Sequence, residues 1–289
     1  MLMRPALPLP DRPLPLQQSA GFARALTALG REAAIDGLQG CGQVLVLTRR
    51  IGPLGRLRFA SRGPVFQADT TPDDRVAGLR AARLHVVNPE ACDPQVMRRA
   101  GFAQVMSAAT VAILPVCANP EAQLAQAICK WRNAARQGAG AGLRIRQRLL
   151  CASRDRWLLD ADSAQQRDKR FRALPHAISL AYSQSNPGDA LVLTASEGAT
   201  PVAGMVFLRH GAAATYQIGW SGARGRSLRA HHALLIHASR RFAALGVTEL
   251  DLGTLDTENA PGLARFKLGS GAVARQLGGT WVRLPGWRG

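Results

Sequence analysis

The segment Gly262-Leu-Ala-Arg-Phe-Lys-Leu-Gly-Ser-Gly271 contains Lys267, one of three lysines in a chain with 37 basic residues. The second lysine lies in Lys130-Trp-Arg-Asn-Ala-Ala-Arg-Gln-Gly138, and the third is Lys169. All the remaining basic residues are arginines. Arginine has a wide planar guanidinium group, whereas lysine has a compact ammonium on a flexible chain. We therefore expect the two segments to carry function; the alternative is that their lysines survived by chance.

Length and charge limit the classes of protein that fit this chain. Its 289 residues can form one large domain or two domains of about 140 residues each. Hydrophobic residues make up 47% of the chain, which is enough for a packed core. The net charge of +18 indicates an anionic partner, namely nucleic acid, a phosphorylated cofactor or an anionic lipid surface.

The cysteines and the hydropathy pattern predict the compartment. The chain has five cysteines and no CxxC pair, which favours unpaired thiols in a reducing compartment over a zinc site or a disulfide framework. The start of the chain, 1–10, is apolar but interrupted by prolines, unlike a signal peptide. No stretch reaches the roughly 20 apolar residues of a membrane span. We expect a cytoplasmic protein without integral membrane association.

The hydrophobic periodicity predicts alternating helices and strands. Predicted helices cover 19–29, 71–82, 120–137, 164–182, 228–245 and 262–268. Predicted strands cover 43–48, 57–62, 84–87, one segment within 104–116, 143–150, 190–195, 202–208, 213–220, 247–252 and 276–284. The order fits a mixed α/β module used twice, divided at the Gly/Ala break 138–142 into domains 1–142 and 143–289. The last strand is a candidate to return to the first module.

Six short motifs follow one another in a characteristic order. They are Pro15-Leu-Gln-Gln-Ser19, Arg62-Gly-Pro64, Leu84-His-Val-Val-Asn-Pro-Glu90, Lys130–Gly138, Gly246–Gly253 and Gly262–Lys267. No single motif is specific, but their order and spacing resemble those of the FemAB-type peptidyltransferases and the wider GNAT acyltransferase superfamily. The resemblance implies an α/β fold of two tandem GNAT-like modules, each a mixed, mostly antiparallel sheet flanked by helices. It places donor binding and catalysis in the second module.

The resemblance also implies an acyl-transfer reaction. A primary amine attacks an activated carbonyl, which is an aminoacyl ester on tRNA or an acyl-CoA thioester; these are co-substrates, and no tightly bound cofactor is implied. Phe266 and Lys267 match the family's Phe-Lys pair beside the acyl linkage. A positioned ammonium can stabilise the oxyanion of a tetrahedral intermediate. The alternative makes Phe266 a core residue and Lys267 a solvated one.

The segment Arg224-Gly-Arg-Ser-Leu-Arg-Ala230 bears on the donor. An ordinary GNAT module grips the CoA pyrophosphate with bare backbone N–H groups in a Q/R-x-x-G-x-G/A loop before a helix. That glycine pattern is absent here, although Ser227 could cap the helix and Arg224, Arg226 and Arg229 supply charge for a phosphate. This favours an aminoacyl-tRNA donor bound through a basic surface. The alternatives are an acyl-CoA-dependent N-acyltransferase acting on a small amine or peptide, and a non-catalytic module that binds RNA or protein.

Candidates for the acceptor site come from both halves of the chain. Tyr216 and Trp220 are four residues apart on a predicted strand, so we expect them to face the same side and to line the acceptor groove. Arg62 is a candidate contact for an anionic acceptor. Core packing of the two aromatic residues and an exposed turn charge at Arg62 are the alternatives.

The general base is less clearly indicated. Asn88 stands where the family often has an aspartate, and an amide cannot act as a base. Asp251 and Asp256, at the end of a predicted strand, are the candidates, with a structural role as the alternative for Asp251. His232 and His237 are too poorly spaced along their helix for a metal site, so no metal is expected.

Overall fold

The computed structural model describes residues 12–52, 55–171 and 173–283. Their contacts divide the chain into two compact units. One unit contains the residues up to 109 together with those from 276 onward, and the other contains 110–275. The predicted boundary at 142/143 falls inside the second unit, because the segment 110–139 contributes one strand and two helices to that unit.

The first unit is built on one mixed sheet. Its strands are β1 (Glu32–Gly37), β2 (Gly42–Arg50), β3 (Arg56–Ser61), β4 (Val65–Phe66), β5 (Val86–Asn88), β6 (Phe102–Met106) and β14 (Thr280–Arg283). Its helices are α1 (Ala20–Ala28), α2 (Pro72–Ala81) and α3 (Pro94–Arg99). The strand order is β1-β2-β3-β5-β14-β6, with β4 beside β2, and only β3 and β5 pair in parallel. The return of the last strand to the first module is thus confirmed.

The second unit repeats this design with more helices. Its strands are β7 (Thr110–Pro115), β8 (Arg144–Leu149), β9 (Ala190–Glu197), β10 (Thr200–His210), β11 (Ala213–Ser221), β12 (Glu249–Thr254) and β13 (Val273–Gln276). Its helices are α4 (Pro120–Gln126), α5 (Cys129–Ala139), α6 (Arg156–Asp168), α7 (His176–Ser185), α8 (Ala223–Ser227), α9 (Ala230–Ala243) and α10 (Pro261–Gly269). The strand order is β13-β7-β12-β11-β10-β9-β8, and β11 and β12 pair in parallel.

Local signals explain where several helices begin. The Ser19 hydroxyl accepts a hydrogen bond from the backbone N–H of Phe22 at the start of α1. At the start of α2, Thr71 and Asp74 form a reciprocal capping box, which satisfies backbone N–H groups that have no partner inside the helix. Both starts agree with the sequence-based expectation.

Two predicted helices are interrupted and a third begins later than expected, which corrects the expectation. The predicted helix 120–137 breaks at Ala127, whose backbone is extended, and Ile128 N–H then donates to Gly269 O instead of to its own helix. The predicted helix 164–182 separates into α6, which ends at Asp168 shortly before the left-handed Arg170 (φ 52°), and α7, which begins directly after Pro175. The third helix begins at Ala230 rather than at 228, because Arg229 adopts a left-handed backbone with φ 55°.

Strands were also missed or merged. The predicted single strand within 104–116 is two strands, β6 and β7, which belong to different sheets. The sequence reasoning did not find β1, β4, α3 or β13, which are short or lack a clear apolar alternation. No helix in the described ranges combines the length and the apolar character needed to cross a lipid bilayer.

The largest core lies in the second unit and places α5 and α9 against the sheet. Phe207, Leu234 and Phe242 are completely buried in it. Gly138 allows the two helices to approach closely, because a Cβ at that position would lie 2.7 Å from Arg229 O. This close approach brings the Lys130–Gly138 segment beside α9.

Candidate active site

A gap opens between the two parallel strands of the second sheet. The pairing of β11 with β12 runs from Ala213 opposite Glu249 to Thr215 opposite Asp251. Beyond that point β11 continues to Ser221 and β12 to Thr254, both in the described part of the chain, without further pairing to each other. These unpaired halves are therefore a candidate substrate site.

A bulge in β11 sets which side chains face this gap. Val206 pairs with Ile218 and Phe207 with Tyr216, so Gln217 is an extra residue in the strand. Tyr216 therefore packs beside Phe207 and the α9 side of the sheet, with ring centroids 5.4 Å apart.

Trp220 consequently faces the other side of the sheet. It lies opposite Gly204, where Trp157 and Leu158 of α6 pack, and its ring meets Trp157 edge-on at 5.8 Å. The expectation that Tyr216 and Trp220 share a side is wrong, because the bulge shifts the alternation by one residue.

Lys267 is the most unusual charged group of the site. It is only 5% exposed, and its Nζ donates a hydrogen bond to Thr254 O at 2.8 Å. Burial lowers the pKa of Lys267 to about 8, and the Asp251 carboxylate opposes this shift. The interpretation of Lys267 as a solvated residue is therefore wrong.

A narrow crevice, too small to hold a water molecule, lies beside Lys267. Its lining residues are Met205, Tyr216, Leu235, Leu252, Phe266 and Lys267. Burial first, and the Asp162 carboxylate second, raise the pKa of Tyr216, so its phenol stays protonated. The crevice therefore presents a phenol and an ammonium within an apolar wall.

Aromatic rings gather behind Phe266. The ring of Phe266 lies 5.2 Å from His232, 5.9 Å from His231 and 5.9 Å from Trp131, measured between centroids. Burial lowers the pKa of both imidazoles to about 4, so both are neutral at physiological pH. His231 Nε2 lies 2.9 Å from Trp220 O and must donate to it, since a carbonyl only accepts.

This aromatic cluster joins the two segments that contain Lys130 and Lys267. Trp131 lies in the first segment and is 4% exposed, and Phe266 lies in the second. Trp131 Nε1 and His232 Nδ1 are buried without a hydrogen-bond partner in the described structure. The sequence reasoning assigned no role to Trp131 or His231. A tryptophan beside the lysine in a distinctive segment was the available signal.

The predicted donor segment is a short helix rather than a loop. Arg226 N donates to Gly222 O, and Leu228 N to Arg224 O, each at 3.0 Å. Ser227 does not cap α9 as expected, because its hydroxyl donates to Arg224 O at 2.8 Å and the capping position is Arg229.

The arginines of this segment differ in their partners. Arg224 forms a two-point ion pair with Glu197, with Nε 2.8 Å from Oε2. Arg226 donates to Ser221 O at 2.7 Å. Arg229 is exposed at the start of α9. Arg226 and Arg229 lie beside the cluster, since they act electrostatically on His231 and His232 respectively.

The candidate carboxylates occupy distinct places. Asp251 is 5% exposed and accepts a hydrogen bond from Gly253 N at 2.8 Å, which holds the backbone near the end of β12. Its carboxylate also raises the pKa of Lys267, against the larger effect of burial. Asp256 is exposed and accepts from the backbone N–H of Asn259 at 2.7 Å. Among the described residues, no three His, Cys, Asp or Glu side chains are arranged to hold a metal ion.

Arg62 lies in the first unit. Its side chain is 11% exposed and forms a bidentate pair with Glu90, with Nη2 2.7 Å from Oε1. It is therefore neither an exposed turn charge nor a cation without a partner. Nearby, Asn88 donates to the Thr280 hydroxyl at 2.6 Å.

Comparisons with known proteins agree with this geometry. The Acetyltransferase (GNAT) domain family matches residues 129–268. The matched region extends from α5 to α10 and includes the crevice, the aromatic cluster and Lys267. Among curated proteins, no significant sequence match was found.

Solved structures extend the likeness beyond the GNAT domain. The crystal structure of FemX superposes with a TM-score of 0.77 at 14% identity, covering 94% of this chain and 92% of FemX. L-PGS from Bacillus licheniformis superposes with a TM-score of 0.56 at 15% identity, covering 93% of this chain and 89% of that one. At these identities the likeness shows the fold. It confirms the predicted α/β architecture with two tandem GNAT-like modules.

Proposed function

We propose that this protein is an acyltransferase that moves an aminoacyl group from tRNA to a primary amine. The observation that carries the proposal is the buried Lys267 ammonium at the gap between β11 and β12. A pKa of about 8 leaves most of this group protonated at neutral pH. When the amine attacks the ester carbonyl, the oxygen becomes negative, and a fixed positive charge in a dry site stabilises it strongly.

The backbone of the 222–229 segment supports a donor other than CoA. Pyrophosphate binding needs N–H groups that have no carbonyl partner. The N–H groups of Arg226, Leu228 and Arg229 all donate to carbonyl oxygens of their own turn. The net charge of +18 favours a polyanion such as tRNA. The FemAB-type enzymes, which the motifs resemble, likewise take an aminoacyl-tRNA donor.

The GNAT domain itself favours a second candidate, an acyl-CoA donor. Thermal melting of the purified protein with acetyl-CoA, a long-chain acyl-CoA and a bulk tRNA fraction separates the two. A ligand that binds only the native state raises the melting temperature by mass action. We expect a rise with tRNA that disappears at high salt, and none with CoA compounds. A rise with CoA alone would replace the tRNA donor by acyl-CoA.

Replacement of Lys267 tests the catalytic assignment. We expect Lys267→Ala to lower turnover about 10²-fold, the effect of losing one donor to an oxyanion. Lys130→Ala is the matched control, since Lys130 is exposed on α5 within the same GNAT domain. Transfer from aminoacyl-tRNA to Nα-acetyl-lysine, used as an amine probe, gives the rate. A loss below threefold in a folded protein would remove Lys267 from the reaction, and a protein without turnover toward either donor would be a binding module.

A further inference from the structure

A buried carboxylate and a histidine face each other between α6 and α7. Asp162 is 3% exposed, and its Oδ2 lies 2.8 Å from His176 Nε2 and 2.6 Å from Gln166 Nε2. The His176 side chain is 20% exposed. Within the described residues, His176 Nδ1 makes no hydrogen bond. The pair therefore has one end fixed in the protein and one nitrogen available.

This pair lies beside the unpaired half of β11. Gln165, next to Gln166 on α6, donates from Nε2 to Gly219 O at 3.2 Å. Burial is the main cause of the raised pKa of Tyr216, and the nearby Asp162 carboxylate is the second cause. Tyr216 in turn lines the crevice with Lys267. α6 therefore lies against the half of β11 that does not pair with β12.

We propose that His176, oriented by Asp162, is the general base that accepts the proton of the attacking amine. This assignment rests on the acyl transfer proposed above. Asp162 accepts the Nε2 proton and so fixes the tautomer in which Nδ1 carries the lone pair. This is the arrangement that a base needs.

The step balances without any further reactant. The neutral amine nitrogen forms a bond to the carbonyl carbon and gives one proton to His176 Nδ1, while the carbonyl electron pair moves to the oxygen beside Lys267. When this oxyanion collapses, the bond to the donor oxygen breaks. The imidazolium returns its proton to that leaving oxygen, and His176 is neutral again.

The competing explanation is structural. In that case the hydrogen bond serves only to join α6 to α7. His176→Gln separates the two roles, because a glutamine amide can still donate to Asp162 but cannot accept a proton. His176→Ala removes both functions and leaves space for added imidazole.

The experiment measures transfer to Nα-acetyl-lysine for the wild type and both variants, with and without imidazole. We expect both variants to lose about 10²-fold in kcat with KM nearly unchanged. We also expect imidazole to restore part of the rate of His176→Ala while leaving the wild type unaffected. The melting temperature of His176→Gln should stay near that of the wild type.

Each other outcome counts against a defined part of the proposal. If His176→Gln keeps its activity, or if imidazole does not restore the activity that His176→Ala loses, the Asp162–His176 pair has only a structural role. A wild type that is inactive with both aminoacyl-tRNA and acyl-CoA would overturn the proposed function, and the base assignment with it. An active wild type together with active variants would overturn the base assignment alone.

Discussion

Replacing Lys267 by methionine should stabilise the protein at neutral pH. The side chain is 5% exposed, and burial lowers its pKa from 10.5 to about 8. A difference of about 2.5 between the unfolded and folded pKa corresponds to about 3 kcal/mol, at roughly 1.4 kcal/mol per pH unit. Methionine has a similar length and no charge, so it avoids this penalty.

The sign of the pH dependence follows from the depressed pKa. Between about pH 8 and 10.5 the unfolded chain holds the Lys267 proton while the folded protein has released it. The free energy of unfolding of the wild type therefore rises with pH in that window. The advantage of Lys267→Met should shrink from about 3 kcal/mol at pH 7 to about 1 kcal/mol at pH 9.5.

Urea unfolding followed by tryptophan fluorescence at pH 7 and 9.5 measures this change. The difference between variant and wild type cancels the titration of other groups, such as Tyr216 and Cys92, whose pKa burial raises. Lys130→Met, which removes an exposed lysine, is the matched control and should change stability little. A Lys267→Met difference that is the same at both pH values would refute the buried ammonium.

Two glycine substitutions test the packing around the site. In Gly219→Ala the new methyl would overlap the Tyr216 hydroxyl, so we expect a loss of about 1–3 kcal/mol in urea unfolding together with lower turnover; unchanged turnover would contradict the place of Tyr216 in the crevice. In Gly138→Ala the Cβ would lie 2.7 Å from Arg229 O, so thermal melting should show a loss of similar size. Gly140→Ala, whose nearest contact would be 3.6 Å, should be tolerated, and an equal loss there would contradict the close-approach argument.

The sequence predicts strands β8 to β12 of the second sheet well because their signals are local. The hairpin strands 190–195 and 202–208 are nearly continuous apolar runs bounded by turn residues. The helix breaks are less visible. Pro175 was a signal for one of them, whereas the break at Ala127 has no glycine or proline. There the hydrogen bond from Ile128 N to Gly269 O replaces a helical one, and only the tertiary structure reveals it.

The site divides in the same way. Phe266 and Lys267 were predicted from a motif that lies on one short segment. Tyr216 and Trp220 were placed on the same side because the bulge depends on how β11 pairs with β10, which a single strand's pattern does not show.

Two residues proposed for the reaction come together only in the folded chain. Asp162 and His176 lie on different helices, so no spacing rule joins them. Ser227 was expected to cap a helix that in fact begins later, since a left-handed Arg229 precedes it.

The stability cost of Lys267 and its proposed catalytic role have the same physical origin. In the resting protein the ammonium has lost most of its water. Asp251 only partly offsets the loss. A developing oxyanion supplies the negative charge that the resting site lacks, so the interaction is stronger in the transition state than in the ground state. Such a difference is what accelerates a reaction. Lys267→Met should therefore gain stability and lose turnover together, while a surface lysine would change neither.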